Sequence, residues 1–515
     1  MASSASLEKK DIQNLTLPTI LAFRTVGYPV LQLVFQLTKI YYVCSLISLM
    51  SQGIVSGLEN LIDKALKMGA SYADIHYQCY DHELITVENK TLKSYSSRRL
   101  SGLGIRVIVN KALGYASTSD LKETGLEEAL KSAIKIARSM KSEKKGFAET
   151  EVIKSEIRLS IKTDPFDVSP EEKVSITMDA NKAAWISDEI KSAITRLGLS
   201  KNFRHFISSE GSEVSVETSL IGLGHESVAK VNGVMERVPY SESRCAGFEF
   251  IRSKNWSSFA SDLSELAIDA AGSKTPPPGT YTVVVDPNVV GLLLHEAFGH
   301  ASEGDLVSSG ESVLHGKLGM QVASELVTII DEGIVEGGYF YPFDDEGVQK
   351  GRTVIVENGV LKGYIHDRES ALYFNAEPTG NGRAQDFENQ PIVRQTNYYM
   401  QPRDYTFEEL IEDIDFGIYV RGMGGTGGQV EVGMGTFTFG VGPSKIIRKG
   451  ELAETVRGVV ISGMILDTLK TIDAVGRDLM MRTSVFGGCG KMGQSVPVGF
   501  GGPHVRVRKM TVGGR

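Results

Sequence analysis

The sequence contains, at residues 272–279, the stretch Gly-Ser-Lys-Thr-Pro-Pro-Pro-Gly. Glycine after an apolar helical pattern stops a helix, and three consecutive prolines form a stiff extended segment. This composition is typical of a boundary between folded units. We therefore predict an N-terminal domain over 53–272, a linker over 273–279 and a C-terminal domain over 280–515, with residues 1–52 as an extension outside the folded unit.

The N-terminal domain shows helix signals between strand-like runs. Ser56 and Glu59 have the spacing of a capping box before an apolar helical pattern, and Thr124 with Glu127 predicts a second helix that ends near Met140. Short alternating runs on both sides of Asn110-Lys111 predict strands that meet at a turn. Helices and strands mixed in this way predict a mixed α/β-sheet domain.

The C-terminal domain is rich in glycine and in strand-like patterns. A strand is predicted at 281–285, a helix from about Pro287, and a hairpin that turns at Asn358-Gly359, a dipeptide that favours tight hairpin turns. No repeat of fixed period is present, which argues against a solenoid or propeller. The fold class is therefore α+β with two domains, the second of which carries the chemical motif described below.

The charge and cysteine content exclude some classes of function. With a net charge of −8, the chain has no general electrostatic attraction for nucleic acid, so we expect no nucleic-acid partner. The four cysteines are widely spaced and include no CxxC pair, so they do not predict a disulfide framework. A reducing compartment follows, and we expect a cytoplasmic protein.

One apolar stretch, at residues 28–50, is a candidate for membrane insertion. Lys39 near its centre would cost about 2.5–3.5 kcal/mol in a bilayer, and no signal-peptide cleavage pattern follows. We therefore expect no stable membrane association. The folded unit is expected to begin near Met50, and residues 1–49 to be dispensable for catalysis.

The motif that carries chemistry is His295-Glu296-Ala297-Phe298-Gly299-His300. In the HExxH motif of zinc peptidases the histidines are four residues apart and face one ion. Here they are five apart, which turns a regular α-helix by about 140°, so the rings diverge unless the helix bends or contains a π-bulge. Gly299 makes such a break inexpensive. Two ordinary helix histidines remain the alternative interpretation of this spacing.

A catalytic zinc site needs about three protein ligands. The candidates for the third are Glu303, Asp305, His366 and one of the cysteines. Cys489 is of interest because thiolate favours zinc, and Lys491 could stabilise the thiolate. Cys79 and Cys245 are interpreted as small buried hydrophobic residues.

The chain resembles the TldD/PmbA family of zinc metalloproteases, specifically its TldD-type catalytic branch, over about residues 53–515. The centre of the resemblance is the HExxxH motif, followed by Glu303-Gly304-Asp305. Further matching stretches are Asp344-Asp345-Glu346-Gly347, Gly380-Asn381-Gly382-Arg383-Ala384, Gly417-Ile418-Tyr419-Val420, and Cys489-Gly490-Lys491 with Gln494 and Pro497. The chain departs from the family pattern in its first 50 or so residues and at Gln401-Pro402-Arg403.

The resemblance implies that His295, His300 and Cys489 bind one zinc ion (Zn2+) per chain and that Glu296 is the general base for a metal-activated water. The chain would then be a zinc-dependent metallopeptidase that hydrolyses extended or unfolded peptides. The resemblance also implies a dimer, either a homodimer or a heterodimer with a PmbA-like paralogue. Two alternatives stay open: a zinc amidohydrolase with another substrate, and a peptide-binding or maturation factor with structural zinc.

Two other motifs are assigned no chemistry. Residues 422–427 satisfy GxGxxG, but no helix pattern follows that could hold a pyrophosphate at its N-terminus. We interpret them as glycine-rich turns that could lie near a peptide groove. Asp344-Asp345-Glu346 lacks the spacing of a calcium loop and is interpreted as an acidic turn.

Overall fold

The computed structural model describes residues 57–140 and 146–514. The expected extension at 1–52, its apolar stretch and the Ser56 cap lie outside these residues. Within them, no helix is both long and apolar enough to cross a membrane.

Several helices begin at a local capping signal, and others do not. Ser169 caps its helix, because its Oγ accepts a hydrogen bond from the backbone N–H of Glu172 at 3.2 Å. The capping box predicted at Thr124 is wrong: the helix already begins at Glu123 after extended backbone at Lys122, so Thr124 lies inside the first turn. The α-helices are α1 (Leu58–Lys67), α2 (Glu123–Ser139), α3 (Pro170–Ala183), α4 (Glu249–Arg252), α5 (Trp256–Gly272), α6 (Pro287–Leu293), α7 (Gly304–Ser308), α8 (Arg368–Phe374), α9 (Phe407–Ile411) and α10 (Ile465–Lys470).

A seven-stranded sheet dominates the region before residue 272. Its order is β3-β2-β1-β5-β6-β4, and β7 also pairs with β6. One face packs against α3 and α5, where Leu197 and Leu223 of the sheet and Trp256 of α5 belong to one buried cluster. The strands are β1 (Tyr72–Glu88), β2 (Thr91–Val109), β3 (Ala112–Thr118), β4 (Lys154–Arg158), β5 (Ile190–Ser208), β6 (Glu213–Val231) and β7 (Val234–Arg244).

A nine-stranded sheet forms the centre of the region after residue 279. Its order is β16-β17-β20-β26-β8-β15-β18-β19, and β21 also pairs with β26. Its apolar side chains, such as Val283 and Val285, pack with Leu293 of α6 in the largest hydrophobic cluster of this region. The strands are β8 (Gly279–Val285), β15 (Phe416–Val420), β16 (Gly427–Glu431), β17 (Thr436–Gly440), β18 (Ser444–Arg448), β19 (Glu451–Val456), β20 (Val459–Met464), β21 (Ile472–Val475) and β26 (Val505–Gly514).

A six-stranded sheet with the order β11-β10-β9-β14-β25-β22 and two isolated hairpins complete the architecture. The predicted turn between β10 and β11 is confirmed, since Asn358 and Gly359 both have positive φ angles, of 45° and 82°. The strands are β9 (Ile329–Glu332), β10 (Arg352–Glu357), β11 (Val360–Leu361), β12 (Gly382–Arg383), β13 (Ile392–Val393), β14 (Asn397–Met400), β22 (Met480–Arg482), β23 (Cys489–Lys491), β24 (Gln494–Val496) and β25 (Gly499–Gly502).

These elements confirm the α+β class, with a mixed α/β N-terminal part and a strand-rich C-terminal part. Buried ion pairs join the seven-stranded sheet to the turn that was interpreted as acidic. Arg106 Nη1 lies 2.6 Å from Glu346 Oε1, and Arg204 Nη1 lies 2.6 Å from Asp345 Oδ1. The turn at 344–346 therefore neutralises arginines of β2 and β5, which is a structural role.

Candidate metal centre

The helix that carries the motif begins at a strong cap. Asp286 follows β8, and its Oδ1 accepts a hydrogen bond from the backbone N–H of Val289 at 2.8 Å. Pro287 occupies the first helical position, where its missing N–H costs nothing. Helix α6 then runs through the buried residues Val290 and Leu293, so the motif begins inside the hydrophobic core.

The helix changes type at the motif. Residues Leu294–Gly299 form a π-helix, and His300–Ser302 continue as a 3₁₀-helix. The backbone N–H of His300 donates to the carbonyl of His295, which is the five-residue hydrogen bond of a π-turn. The ring centroids of His295 and His300 are consequently 5.3 Å apart. The five-residue spacing thus brings both rings to one place through the π-bulge that it requires.

Gln395 holds this bulge from outside the helix. Its Nε2 donates to the carbonyl of His295 at 3.0 Å. A Cβ atom on Gly299 would lie 2.2 Å from Gln395 Oε1, which is far closer than van der Waals contact permits. Only glycine therefore fits at position 299 while Gln395 keeps its place.

Cys489 completes the group. It lies on β23, in the hairpin with β24, and its Sγ is 3.1 Å from His300 Nε2. The ligand atoms of His295, His300 and Cys489 all lie within 4.8 Å of one another, and all three residues are buried. In residues 57–140 and 146–514, this is the one group of three or more histidine, cysteine or acidic side chains with metal-site spacing.

The electrostatics of the group suit a metal ion. Burial alone would raise the pKa of the Cys489 thiol, but the adjacent His295 and His300 imidazoles lower that pKa to about 4. The thiol is therefore ionised at neutral pH, which is the form that binds metals. His295 Nδ1 is buried and has no hydrogen-bond partner among the described residues. A buried polar atom without a partner lowers the stability of a protein, and a cation bound by His295, His300 and Cys489 would give this group a favourable interaction.

Glu303 and Asp305 lie behind the group instead of in it. Glu303 Oε2 is 3.0 Å from His300 Nδ1, and Lys491 Nζ is 2.9 Å from the same oxygen. Burial would raise the pKa of Glu303, but His300 and Lys491 lower it to about 2. Lys491 also contacts both carboxylate oxygens of Asp305 at 2.7 Å. The expectation that Lys491 stabilises the Cys489 thiolate is wrong, because the carboxylates bind its ammonium group and the imidazoles act on the thiol.

The other candidate ligands lie elsewhere. His366 Nδ1 is 3.1 Å from Ser370 Oγ, and burial lowers the pKa of His366 to about 4. Cys245 Sγ accepts a hydrogen bond from the backbone N–H of Phe340 at 3.3 Å, and burial raises the pKa of its thiol to about 12. Cys79 is half-buried in β1. None of these three belongs to the metal-site group.

Glu296 lies on the π-helix next to His295 and is partly exposed, while its helical neighbours are buried. No hydrogen bond or ion pair of its carboxylate is formed within the part of the chain that the structure describes. This carboxylate is thus available to a substrate or water molecule beside the group.

Two residues that support the candidate metal centre were not predicted from the sequence. Arg394 is fully buried, and its guanidinium donates to the carbonyls of Cys489 and Gln494, which fixes the hairpin that carries the thiolate. Gln395, its neighbour, supports the π-bulge. Consecutive polar residues that enter a buried strand are the one signal that could have drawn attention to them.

The glycine-rich residues 422–427 have a structural role near this centre. The backbone N–H of Gly422 donates to Asp286 Oδ2 at 2.8 Å, so the loop is attached to the start of α6. The strand β16 follows directly, and the dinucleotide interpretation is excluded because no helix N-terminus is present there.

Comparison with known sequences gives three matches to one family. The profile described as PmbA/TldA metallopeptidase domain 1 matches residues 73–137, that of the central domain matches 163–272, and that of the C-terminal domain matches 278–514. Together they include most of the seven-stranded sheet, whose strand β4 lies between two of the matches, and every residue of the candidate metal centre.

Individual relatives agree with this. A metalloprotease of Methanothermobacter thermautotrophicus is 39% identical over 444 residues, which cover 86% of this chain and 95% of the relative. A zinc metalloprotease TldD homolog of Saccharolobus solfataricus is 30% identical over 464 residues, which cover 88% and 99%. The crystal structure of TldE from Thermococcus kodakarensis has the same fold, with a TM-score of 0.72 at 21% identity over 89% of this chain and all of that one. The chain therefore belongs to the PmbA/TldD family of metallopeptidases, on its TldD side.

Proposed function

We propose that this chain is a zinc-dependent peptidase and that His295, His300 and Cys489 are its metal ligands. The observation that carries the proposal is the convergence of two imidazoles and the Cys489 thiol within 4.8 Å through the π-bulge. One thiolate with two imidazoles is a ligand set that zinc accepts well, and soft thiolate disfavours magnesium and calcium. One ion per chain follows from the single group in the described part of the molecule.

Glu303 orients one of the ligands. Its carboxylate accepts a hydrogen bond from His300 Nδ1, which keeps a proton on that nitrogen, so Nε2, which faces Cys489, is the nitrogen that would bind the metal. When bound, zinc would supply a positive charge that polarises a substrate carbonyl and makes water a better nucleophile. Glu303 and Lys491 form an ion pair with each other and are therefore not proposed as ligands.

Glu296 is proposed as the general base. It follows His295 directly and its carboxylate is partly exposed, so it can accept a proton from an attacking water and pass it to the leaving amine. Its neighbours Ala297 and Phe298 are buried, which keeps the helix fixed while Glu296 faces the solvent side.

The alternative in which zinc is structural receives less support. Structural zinc sites are usually closed by four protein ligands, and catalytic sites keep a position open. The group here has three members, and Glu303 and Asp305 are both paired with Lys491. A zinc amidohydrolase would act on another substrate and would leave peptides intact. Mass spectrometry of a peptide library incubated with the protein therefore distinguishes it from a peptidase.

We propose extended or unfolded peptides as substrates and a dimer as the working form. An extended peptide can add its backbone hydrogen bonds to a sheet edge, and the C-terminal region is rich in strands. The proposed partner is either a second copy of this chain or a PmbA-like paralogue, and TldE is a solved example of a protein with the same fold.

The test is metal analysis combined with peptide cleavage on wild-type protein and on Glu296→Gln. Both proteins should contain about one zinc ion per chain, and the variant should cleave about 10²–10⁴-fold more slowly because an amide cannot accept the proton. Glu311→Gln, at an exposed position, is the matched control. Equal cleavage by Glu296→Gln and wild type would refute the assigned base, and zinc-free active protein would refute the proposed metal.

A further inference from the structure

A pocket with an empty volume of about 710 Å³, including the solvent at its mouth, lies against the face of β5, β6 and β7. Two segments of the C-terminal region form its other walls. One is the glycine-rich loop with Gly422 and Gly425, and the other contains Arg482 and Phe486. Nothing in the proposed mechanism uses this pocket.

The pocket carries an excess of positive charge. Arg196, Arg237 and Arg482 line it, against the single carboxylate of Glu226. Arg237 forms an ion pair with Glu226, so these two charges cancel. Two guanidinium charges are then left without a carboxylate among the described residues.

The two uncompensated arginines differ in their contacts. Arg196 is exposed and makes no hydrogen bond or ion pair with residues 57–140 or 146–514. Arg482 is held in place, because its Nη2 donates to the carbonyl of Ser241 at 3.0 Å and its guanidinium lies 4.4 Å from the centre of the Tyr240 ring. A guanidinium fork that is fixed on an aromatic ring can bind a carboxylate through two parallel hydrogen bonds.

Two short chain segments connect the pocket to the metal-site group. Phe486 packs on Gly198 and Gly224 of the sheet, and it precedes Cys489 by three residues, a span of at most about 11 Å. On the other side, Gly422 is hydrogen-bonded to Asp286, and His295 follows Asp286 after nine residues, about 13 Å along a helix. An extended peptide covers such distances with three or four residues.

We propose that this pocket binds a carboxylate of the peptide substrate, three or four residues from the bond that is cleaved. This inference rests on the proposed peptidase function and adds a preference for substrates with an anionic group. The carboxylate could belong to an aspartate or glutamate side chain or to the C-terminus of the peptide. Both sources offer the same group to Arg196 and Arg482.

The test measures binding and not hydrolysis, on full-length, zinc-loaded Glu296→Gln protein. The probes are N-terminally fluorescein-labelled octapeptides of alanine and leucine. One series carries a single glutamate or glutamine at each position in turn, and a second has a C-terminal acid or amide. Fluorescence anisotropy gives the Kd of each peptide. For at least one position or for the C-terminus, the acidic member should bind about tenfold more tightly than its neutral counterpart.

Adding Arg196→Gln, alone and together with Arg482→Gln, should bring this acid-to-neutral ratio of Kd values towards one. Arg196 is exposed, so its replacement removes no packing. Arg98→Gln, an exposed arginine in β2, is the matched control and should keep the ratio. A preference at one internal position assigns the pocket to a side chain, and a preference for the free acid assigns it to the C-terminus.

Equal Kd values for acidic and neutral peptides, or a preference that survives both arginine substitutions, would overturn the proposal. These outcomes are separate from failure of the proposed function. If wild-type protein binds acidic peptides through Arg196 but cleaves none, the carboxylate pocket stands and the peptidase assignment falls.

Discussion

Lys491 and Glu303 form an ion pair at 2.9 Å in which both side chains are almost completely removed from solvent. The same Glu303 oxygen lies 3.0 Å from His300 Nδ1. A buried carboxylate without a counter-charge costs several kcal/mol, so Lys491 is what permits Glu303 to stay ionised behind the histidine. The hairpin β23–β24 thus supplies both Cys489 and the cation that supports the opposite side of the candidate metal centre.

Replacement of Glu303 by glutamine should weaken zinc binding without abolishing it. The amide can still accept a hydrogen bond from His300, but it provides no negative charge to strengthen the ligand. Loss of such a supporting group typically costs 10–100-fold in metal affinity. Competition with a chelator of known affinity measures the effect, and Glu311→Gln is the exposed control. Complete loss of zinc would show that Glu303 is itself a ligand.

Cys489→Ser should reduce zinc affinity sharply while the fold is retained, because a serine hydroxyl is a much poorer zinc ligand than a thiolate. Cys245→Ser is the matched control, since its Sγ only accepts a hydrogen bond from Phe340, which a hydroxyl can also do. Metal content after dialysis and circular dichroism of both variants provide the measurement. Normal zinc content in Cys489→Ser would remove the cysteine from the ligand set.

Gly299→Ala should disrupt the π-bulge. The new methyl group would meet Gln395 Oε1 at 2.2 Å, so either the glutamine or the helix has to move. Overpacking of this kind costs about 1–3 kcal/mol, and the shift should also separate the two histidine rings and lower zinc affinity. Gly351→Ala, at a position where a Cβ meets nothing within 4 Å, should not destabilise the fold and should leave metal binding unchanged. Unchanged zinc affinity in Gly299→Ala would show that the bulge tolerates the displacement.

Acid should destabilise the protein through His225. Burial lowers the pKa of this imidazole to about 4, and both of its ring nitrogens lie 2.8 Å from hydroxyl groups, of Thr195 and Ser227. In the unfolded chain a histidine has a pKa of about 6.5, so between pH 6.5 and 4 the unfolded state binds the proton and the native state does not. The contribution of His225 to stability is therefore complete above pH 6.5 and falls by about 2 kcal/mol between pH 7 and pH 5.

Urea unfolding at pH 7 and pH 5 measures this loss. His225→Gln should reduce the difference between the two free energies of unfolding by about the same 2 kcal/mol, because glutamine does not titrate. His315→Gln, at an exposed position, is the control. If the pH-dependent loss is the same in His225→Gln as in wild type, other groups are responsible for it.

Local patterns predicted much of the fold, and distant contacts account for what they missed. The Asn358-Gly359 hairpin, the strand β8 and the helix that follows it depend on neighbouring residues, so they could be recognised directly. The role of Lys491 could not, because it depends on Glu303 and Asp305, which approach it only in the folded chain. Likewise, the length of β2, nineteen residues, reflects pairing with β1 and not its own polar composition.

In the candidate site, too, features set by neighbouring residues could be predicted and features set by distant contacts could not. The five-residue spacing of His295 and His300 indicated either a distorted helix or no site, and the structure contains the π-helix. The roles of Arg394 and Gln395 could not be predicted from the sequence. Their hydrogen-bond partners are the main-chain carbonyls of Cys489 and His295, and every residue type has such a carbonyl.

The pairing of β26 with β8 at the centre of the nine-stranded sheet has a consequence for the order of folding. Strand β8 leads directly into the helix of His295, whereas Cys489 is separated from His300 by 189 positions along the chain. Contacts between such distant segments form late, because loop closure must first be offset by local structure. Under the proposed function, a partly folded chain would have the two histidines without the thiolate beside them, so its metal centre would be incomplete and it would not yet hydrolyse other chains.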